Sequence, residues 1–148
     1  MSLAIRSARD WSATALAATH AQCFARGWSA DEIDALLMLP NVIAFATGDQ
    51  ELTGFILTRV QADEAEIVTL AVAPASRRQG AGRALTAQSM AAARAVGAAT
   101  MFLEVEAGNT AARGLYESLG FEEAGVRRGY YTTPEGPRDA RVMRANLS

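Results

Sequence analysis

The sequence predicts a mixed α/β fold: a mostly antiparallel sheet with a βαβ unit at its centre. Three stretches carry that expectation. Ile67–Ala73 is a branched, apolar run of the kind buried on both faces of a sheet, and a glycine-rich turn, a helix-favouring stretch and a second strand, Thr100–Glu106, follow it. A strand–helix–strand passage of this length makes the two strands parallel. Asn41–Thr47 and Leu52–Gln61 read as strands around Gly48-Asp49-Gln50, an antiparallel hairpin, and Phe121–Tyr131 with Arg138–Ala145 reads as a closing strand pair.

The chain of 148 residues suits one domain, 1–148, with a single core. Half of its residues are hydrophobic and its formal charge is −2, which argues against general nucleic-acid binding. No apolar run reaches the roughly 20 residues of a membrane span, and the N-terminus has no signal-peptide core. A lone cysteine, Cys23, cannot form an internal disulfide, so a reducing, cytoplasmic setting is expected. One His and one Cys argue against a metal site.

In order, Leu3–Arg9 reads as a short first strand. Asp10–Arg26 is alanine-rich, with Leu16, His20 and Phe24 forming one helical stripe, and His20 and Cys23 read as core packing. Ser29 and Glu32 fit a capping box for a second helix, Ala30–Met38, closed by Pro40. The hairpin follows, then a polar connection over Gln61–Ala65 and the strand Glu66–Ala73. The central helix runs from Gly82 to Val96, with Gly97 as its stop. Asn109 is a good N-cap for a short helix, Thr110–Leu119, ended by Gly120. Pro134, Gly136 and Pro137 make Thr132–Pro137 a long turn.

The strand–turn–helix junction is the first candidate site. Arg77, Arg78, Gly80 and Gly82 precede the helix, so free N–H groups at the positive end of a helix dipole could approach a phosphate with no Cβ in the way. An ordinary connection with a solvated arginine pair would look the same. A P-loop would need Lys and Ser or Thr where Arg83 and Ala84 stand, and a dinucleotide fingerprint would need glycine at Leu85. Two more residues could do chemistry. Glu104 interrupts an apolar strand, where a carboxylate costs several kcal/mol unless it is paired or faces a cleft or solvent. Tyr116, on one helix face with Asn109 and Ala112, sits at the edge of the core stripe, where a phenol can pack or meet a ligand.

Arg-x-x-Gly-x-Gly at Arg77, Gly80 and Gly82 resembles the pyrophosphate loop of the GCN5-related N-acetyltransferases, and GLYESLGF at 114–121 resembles that superfamily's last signature. FLEVEAGNTAARGLYESLGFEEAGVRRGYY, with His20, Phe24, Trp28-Ser29, Gly136 and Asp139-Ala140, is similar to the bacterial ribosomal-protein-alanine N-acetyltransferases over nearly the whole chain. The resemblance implies an acyl-CoA-binding βαβ unit and acetyl-CoA as co-substrate. It implies that backbone groups of Leu70, Ala71 and Val72 hold the acetyl and pantetheine part. Arg77 would start the loop, and Arg78, Gln79, Gly80, Ala81, Gly82 and Arg83 would wrap the pyrophosphate, with Asn109 and Tyr116 touching the cofactor. Glu104 would be general base and Tyr116 general acid. Trp28, Glu104, Tyr130 and Tyr131 would line a groove for a peptide or protein N-terminus, most simply the N-terminal alanine of a small-subunit ribosomal protein. A monomer is expected. Relatives usually carry Arg where this chain has Glu106 and Ser where it has Gly108.

The residue types suit that chemistry. An α-amino group titrates near about 7.7–8.0, so near neutral pH a carboxylate can relieve it of its proton, whereas lysine, near about 10.4, needs far more help. A backbone N–H near Ala71–Val72 could stabilise charge on the carbonyl oxygen if the strand bulges there. Tyrosine, near about 10, can protonate a leaving thiolate whose thiol titrates near about 8.5. If Glu104, Glu106, Glu122 and Glu123 line the cleft, they favour a cationic acceptor. The same fold acting on lysine or a small amine, and a non-catalytic acyl-CoA sensor, are the alternatives.

Overall fold

The computed structural model describes residues 4–147. Among them, a seven-stranded sheet runs in the order β1-β2-β3-β4-β5-β7-β6. The strands are β1 (Ile5–Ser7), β2 (Val42–Gly48), β3 (Leu52–Gln61), β4 (Glu64–Val72), β5 (Thr100–Glu106), β6 (Glu122–Thr133) and β7 (Gly136–Asn146). The helices are α1 (Ala13–Ala21), α2 (Ala30–Leu37), α3 (Ala81–Ala95) and α4 (Thr110–Ser118). β4 and β5 are parallel and every other pair is antiparallel, as the βαβ reading requires. Leu3, expected to open the first strand, lies outside the described residues.

Two cores hold the layers. On one face Leu16 of α1 and Ile33 of α2 pack with Ala44, Phe55, Leu57 and Ala71. On the other, Leu85 and Ala93 of α3 and Tyr116 of α4 pack with Ile56, Ile67, Met101, Leu103, Val105 and Met143. Burial of such side chains contributes about 1.5–3 kcal/mol each before chain entropy is charged against it. The alternation switches face within β4. Leu57 pairs with Thr69 and Thr58 with Ile67, so Val68 is an extra residue, a β-bulge. Ala65 and Ile67 face the α3 core, but beyond the bulge Leu70 faces it and Ala71 faces the other.

Several boundaries depart from the sequence expectation. The first helix is α1 alone, because the Ser12 side chain accepts from Ala15 N–H at 3.1 Å and starts the helix late. It ends early because Cys23 and Phe24 N–H groups both turn back to the His20 carbonyl. The polar connection at Gln61–Ala65 is instead a tight turn at Ala62-Asp63, with Ala62 left-handed at φ 56° and Gln61 paired with Glu64. The long turn at Thr132–Pro137 is also tight, since Thr132 pairs with Pro137 and Thr133 with Gly136. Pro137 is tolerated there because β5 pairs with β7 only as far as Ala140, so its missing N–H faces no neighbour strand on that side.

The capping box at Ser29 and Glu32 forms in both directions. Gly97 and Gly120 follow α3 and α4 in left-handed conformations, at φ 101° and 96°, as helix stops require.

Candidate active site

The site begins where β4 and β5 part. Their pairing covers only Glu64–Glu66 with Thr100–Phe102. Past that point β5 stays paired with β7 while β4 stays paired with β3, so the edges facing each other are open. Ala73 N–H bonds to Thr53 carbonyl at 2.8 Å, which fixes the alternation of the ladder. Ala71 N–H and carbonyl therefore face β3, and those of Leu70 and Val72 face the open edge. Of the three residues expected to offer backbone groups, Ala71 has its own committed to the sheet. The bulge also falls at Val68 rather than at Ala71–Val72. The Val72 carbonyl already accepts from the Cys23 thiol at 3.3 Å and from Arg77 Nε at 3.1 Å, which leaves its N–H as the edge donor beside the loop.

The open edge runs into the glycine loop. Pro74–Ser76 forms one turn of 3-10 helix, Arg78 is left-handed at φ 66°, and Gly80 caps α3 at φ 84°. A left-handed conformation costs a non-glycine residue roughly 1–2 kcal/mol, so Arg78 is held there by its neighbours while Gly80 enters freely. The first helical bond is Ala84 N–H to Gly80 carbonyl at 2.9 Å, so the N–H groups of Ala81, Gly82 and Arg83 precede the α3 ladder. A Cβ on Gly82 would lie 3.2 Å from Leu115 Cδ1, so glycine lets α3 sit close against α4, whereas a Cβ on Gly80 would meet nothing within 4 Å. Arg77 is turned back onto Val72, and Arg83 reaches Ser118 of α4 through a side-chain hydrogen bond. Arg78 and Gln79 are exposed. Free N–H groups, exposed cationic chain and an uncluttered approach make a cradle that fits a pyrophosphate. Asn109 caps α4, its Oδ1 accepting from Ala112 N–H at 3.1 Å. A Cβ added to Gly108 beside it would meet nothing within 4 Å.

Glu104 stands on β5 two residues beyond the last pairing with β4, on the face opposite Leu103 and Val105. Its side chain is 25% exposed and its Oε1 lies 3.1 Å from Arg127 Nε of β6. It lines a hollow of about 260 Å³ with Arg59, Glu64, Glu66, Phe102 and Arg127. The acidic character expected of this face is offset. Glu104 is paired with Arg127, Glu106 with Arg138 at 3.9 Å, and Glu123 with Arg141 at 2.6 Å.

Two tyrosines stand near this carboxylate, and a third, Tyr116, lies in the core on the other face of the strand. Tyr131 donates its hydroxyl to the Glu104 backbone carbonyl at 3.3 Å. Burial, then the nearby Glu104 charge, pushes its pKa up to about 12. The Glu104 carboxylate is the main reason the exposed Tyr130 phenol is also raised. Tyr116 is not at the edge of the core stripe but inside it, 7% exposed and edge-on to Phe121 at 5.7 Å. Burial, with Tyr131 nearby, pushes Tyr116 up to about 12.

Trp28 belongs to a separate stack. His20 lies between Phe24 and Trp28, with ring centroids 4.3 and 4.5 Å away, and its Nδ1 accepts Trp28 backbone N–H at 3.1 Å. Burial holds the His20 pKa down near 4. His20 is thus a packing residue, as its place on the α1 stripe implied, and it fixes Trp28. Sequence reasoning missed Arg127 as the partner of Glu104. The two are 23 positions apart and meet only through the β5–β7–β6 register.

The model of the acetyltransferase (GNAT) family matches residues 6–121. The "[Ribosomal protein bS18]-alanine N-acetyltransferase" of Escherichia coli strain K12 is 45% identical over 102 residues, 69% of each chain. The crystal structure of the ribosomal-protein-S18-alanine N-acetyltransferase from Escherichia coli superposes with a TM-score of 0.91 at 35% identity, covering 99% of this chain and 95% of that one. The Salmonella typhimurium protein yncA, solved with its cofactor acetyl-CoA, shares the fold at 22% identity, with a TM-score of 0.83, covering 100% of this chain and 95% of that one.

Proposed function

The chain belongs to the GNAT acetyltransferase family, and from that premise we propose that it transfers acetyl from acetyl-CoA to the α-amine of a protein N-terminus, the acceptor being the N-terminal alanine of a small-subunit ribosomal protein such as bS18. The observation that carries the reading is the open edge of β4. It leads from unpaired strand N–H groups directly into the unbonded N–H groups at the start of α3, with Glu104 on the opposite strand of the gap. The identity with a bS18-alanine N-acetyltransferase supports the acceptor.

Acetyl-CoA supplies an activated acyl group as a thioester. The N–H groups of Ala81, Gly82 and Arg83, with the exposed Arg78 and Gln79, hold the pyrophosphate. The edge groups of Leu70 and Val72 line up the arm that follows, and Asn109 flanks it. The Val72 N–H is the donor placed to stabilise negative charge on the reacting carbonyl oxygen. Glu104 accepts a proton from the acceptor ammonium, directly or through a water, which frees the lone pair for attack. Tyr116, kept protonated by burial, gives a proton to the departing thiolate. Tyr130 and Tyr131 orient the acceptor chain near Glu104, and Trp28, fixed by His20, offers a second aromatic surface.

Mass spectrometry of a two-peptide mixture incubated with the protein and acetyl-CoA tests this reading. One peptide begins Ala-Arg; the other has a blocked N-terminus and an internal lysine. One acetyl gained on the free alanine alone is the expected result. Acetylation of the lysine instead would overturn the acceptor class, and no transfer to either would overturn the peptide acceptor.

A further inference from the structure

We propose that Arg127 occupies, in the resting protein, the position on Glu104 that the acceptor's α-ammonium takes during turnover, so that Arg127 is an acceptor-specificity residue exchanged cation for cation. This rests on the reading of Glu104 as the base for an α-amine acceptor. The closest approach of the pair is Arg127 Nε, 3.1 Å from Glu104 Oε1. Arg127 is 57% exposed and Glu104 25%, so the arginine can leave into water while the carboxylate stays half-sheltered. A neutral side chain displacing it would strand a partly buried carboxylate; a cation would not.

The two partners stand on elements of different regularity. Glu104 is paired to Val142 within an unbroken β5–β7 register. Arg127 is the last regularly paired residue of β6 before the register breaks. Arg127 faces Ala140 and Tyr131 faces Arg138, so Arg128, Gly129 and Tyr130 oppose Asp139 alone. Gly129 is left-handed at φ 63°, and its N–H is taken by Asp139 Oδ1 at 2.9 Å rather than by a strand partner. Arg127 can therefore swing without unzipping the β5–β7 ladder. A landing place exists, since its guanidinium already lies 5.2 Å from the centre of the half-exposed Tyr130 ring.

Arginine is also the cation that can wait beside a proposed base without becoming a substrate. Its guanidinium stays protonated throughout the working pH range and offers no free lone pair. The chain contains no lysine, so no amine side chain of its own competes for the place.

The test joins spectroscopy to kinetics. The 15N-labelled protein is observed at the Arg127 Nε–H resonance with CoA present, on adding the Ala-Arg peptide and, separately, its desamino counterpart. The expected result is a shift with the amine peptide and none with the desamino one. An unmoved resonance, or equal shifts with both, overturns the exchange. In parallel, Arg127→Gln is expected to lower KM for the Ala-Arg peptide by about fivefold with kcat held within about twofold. An unchanged or raised KM in Arg127→Gln also overturns it. Acetylation of the same peptide by the wild-type protein is measured alongside. Its absence would mean that the α-amine reading itself fails and takes this inference with it, whereas turnover with an unmoved resonance would sink the exchange alone.

Discussion

The Tyr131 hydroxyl donates to the backbone carbonyl of Glu104 at 3.3 Å, and the same phenol is the charge neighbour that helps raise Tyr116. One tyrosine on β6 thus holds the strand of the proposed base by its backbone and stands near Tyr116 of α4. It does so without using the Glu104 carboxylate, which stays with Arg127.

Replacing Glu104 by Gln keeps the shape and removes the base. The kcat for an Ala-Arg peptide should fall about 10²–10³-fold, with KM for acetyl-CoA little changed. The lost ion pair is half-exposed, so denaturant unfolding should show less than about 1 kcal/mol of destabilisation. Steady-state rates with either substrate saturating separate the two effects. Retention of wild-type kcat would remove Glu104 from the mechanism.

Tyr116 and Tyr131 are both held near 12, above the 10.0 of an unfolded tyrosine. The folded state then binds more protons than the unfolded one between about pH 10 and 12, so stability is intact below pH 10 and falls as pH rises through that window. The Tyr116→Phe variant should flatten this loss in urea titrations at pH 9 and 11. It should also lower kcat at every pH below 10 by about 10²-fold, because the proton it supplies is then missing. Wild-type turnover in Tyr116→Phe would refute the acid role.

His20 shifts the opposite way. Its pKa falls from 6.5 to about 4 because burial disfavours the imidazolium. The unfolded chain therefore binds more protons between those values, and stability present above pH 6.5 is lost as pH falls toward 4, by about 2–3 kcal/mol. His20→Phe should remove much of that pH dependence. It should also cost about 1–2 kcal/mol at pH 7, since Trp28 N–H loses its acceptor. Urea unfolding at pH 7 and pH 4.5 measures both.

Gly80 takes φ 84° and a Cβ added there would meet nothing within 4 Å, so the cost of Gly80→Ala is conformational rather than steric. The expectation is about 1 kcal/mol of destabilisation and a weaker grip on CoA, because the N–H groups of Ala81–Arg83 are re-aimed. Isothermal titration with CoA reports the affinity. An unchanged Kd would show that the Gly80 conformation does not shape the phosphate cradle.

Much of the site was legible locally. Gly80 and Gly82 announce the loop, Asn109 announces the start of α4, and Ser29 with Glu32 announces α2, because caps and left-handed turns are settled within a few residues. The α1 boundaries were less legible. Ser12 and the returning N–H groups of Cys23 and Phe24 truncate a stripe that continues in sequence. The closing hairpin misled for the same reason: Pro134, Gly136 and Pro137 read as a long turn, but the pairing of Thr133 with Gly136 draws it tight.

The sequence by itself determined the order of strands and helices, the parallel βαβ unit and the residue types at the site, since each rests on short-range periodicity, capping or turn chemistry. Only the tertiary structure decided where β4 and β5 part, that Val72 rather than Ala71 offers its N–H to the gap, and that Arg127 sits on Glu104. Each of these follows from register between distant strands. That register turns on the one extra residue at Val68 and the break after Arg127, where three residues oppose one, slips whose energy lies in cross-strand pairing, which no local pattern records.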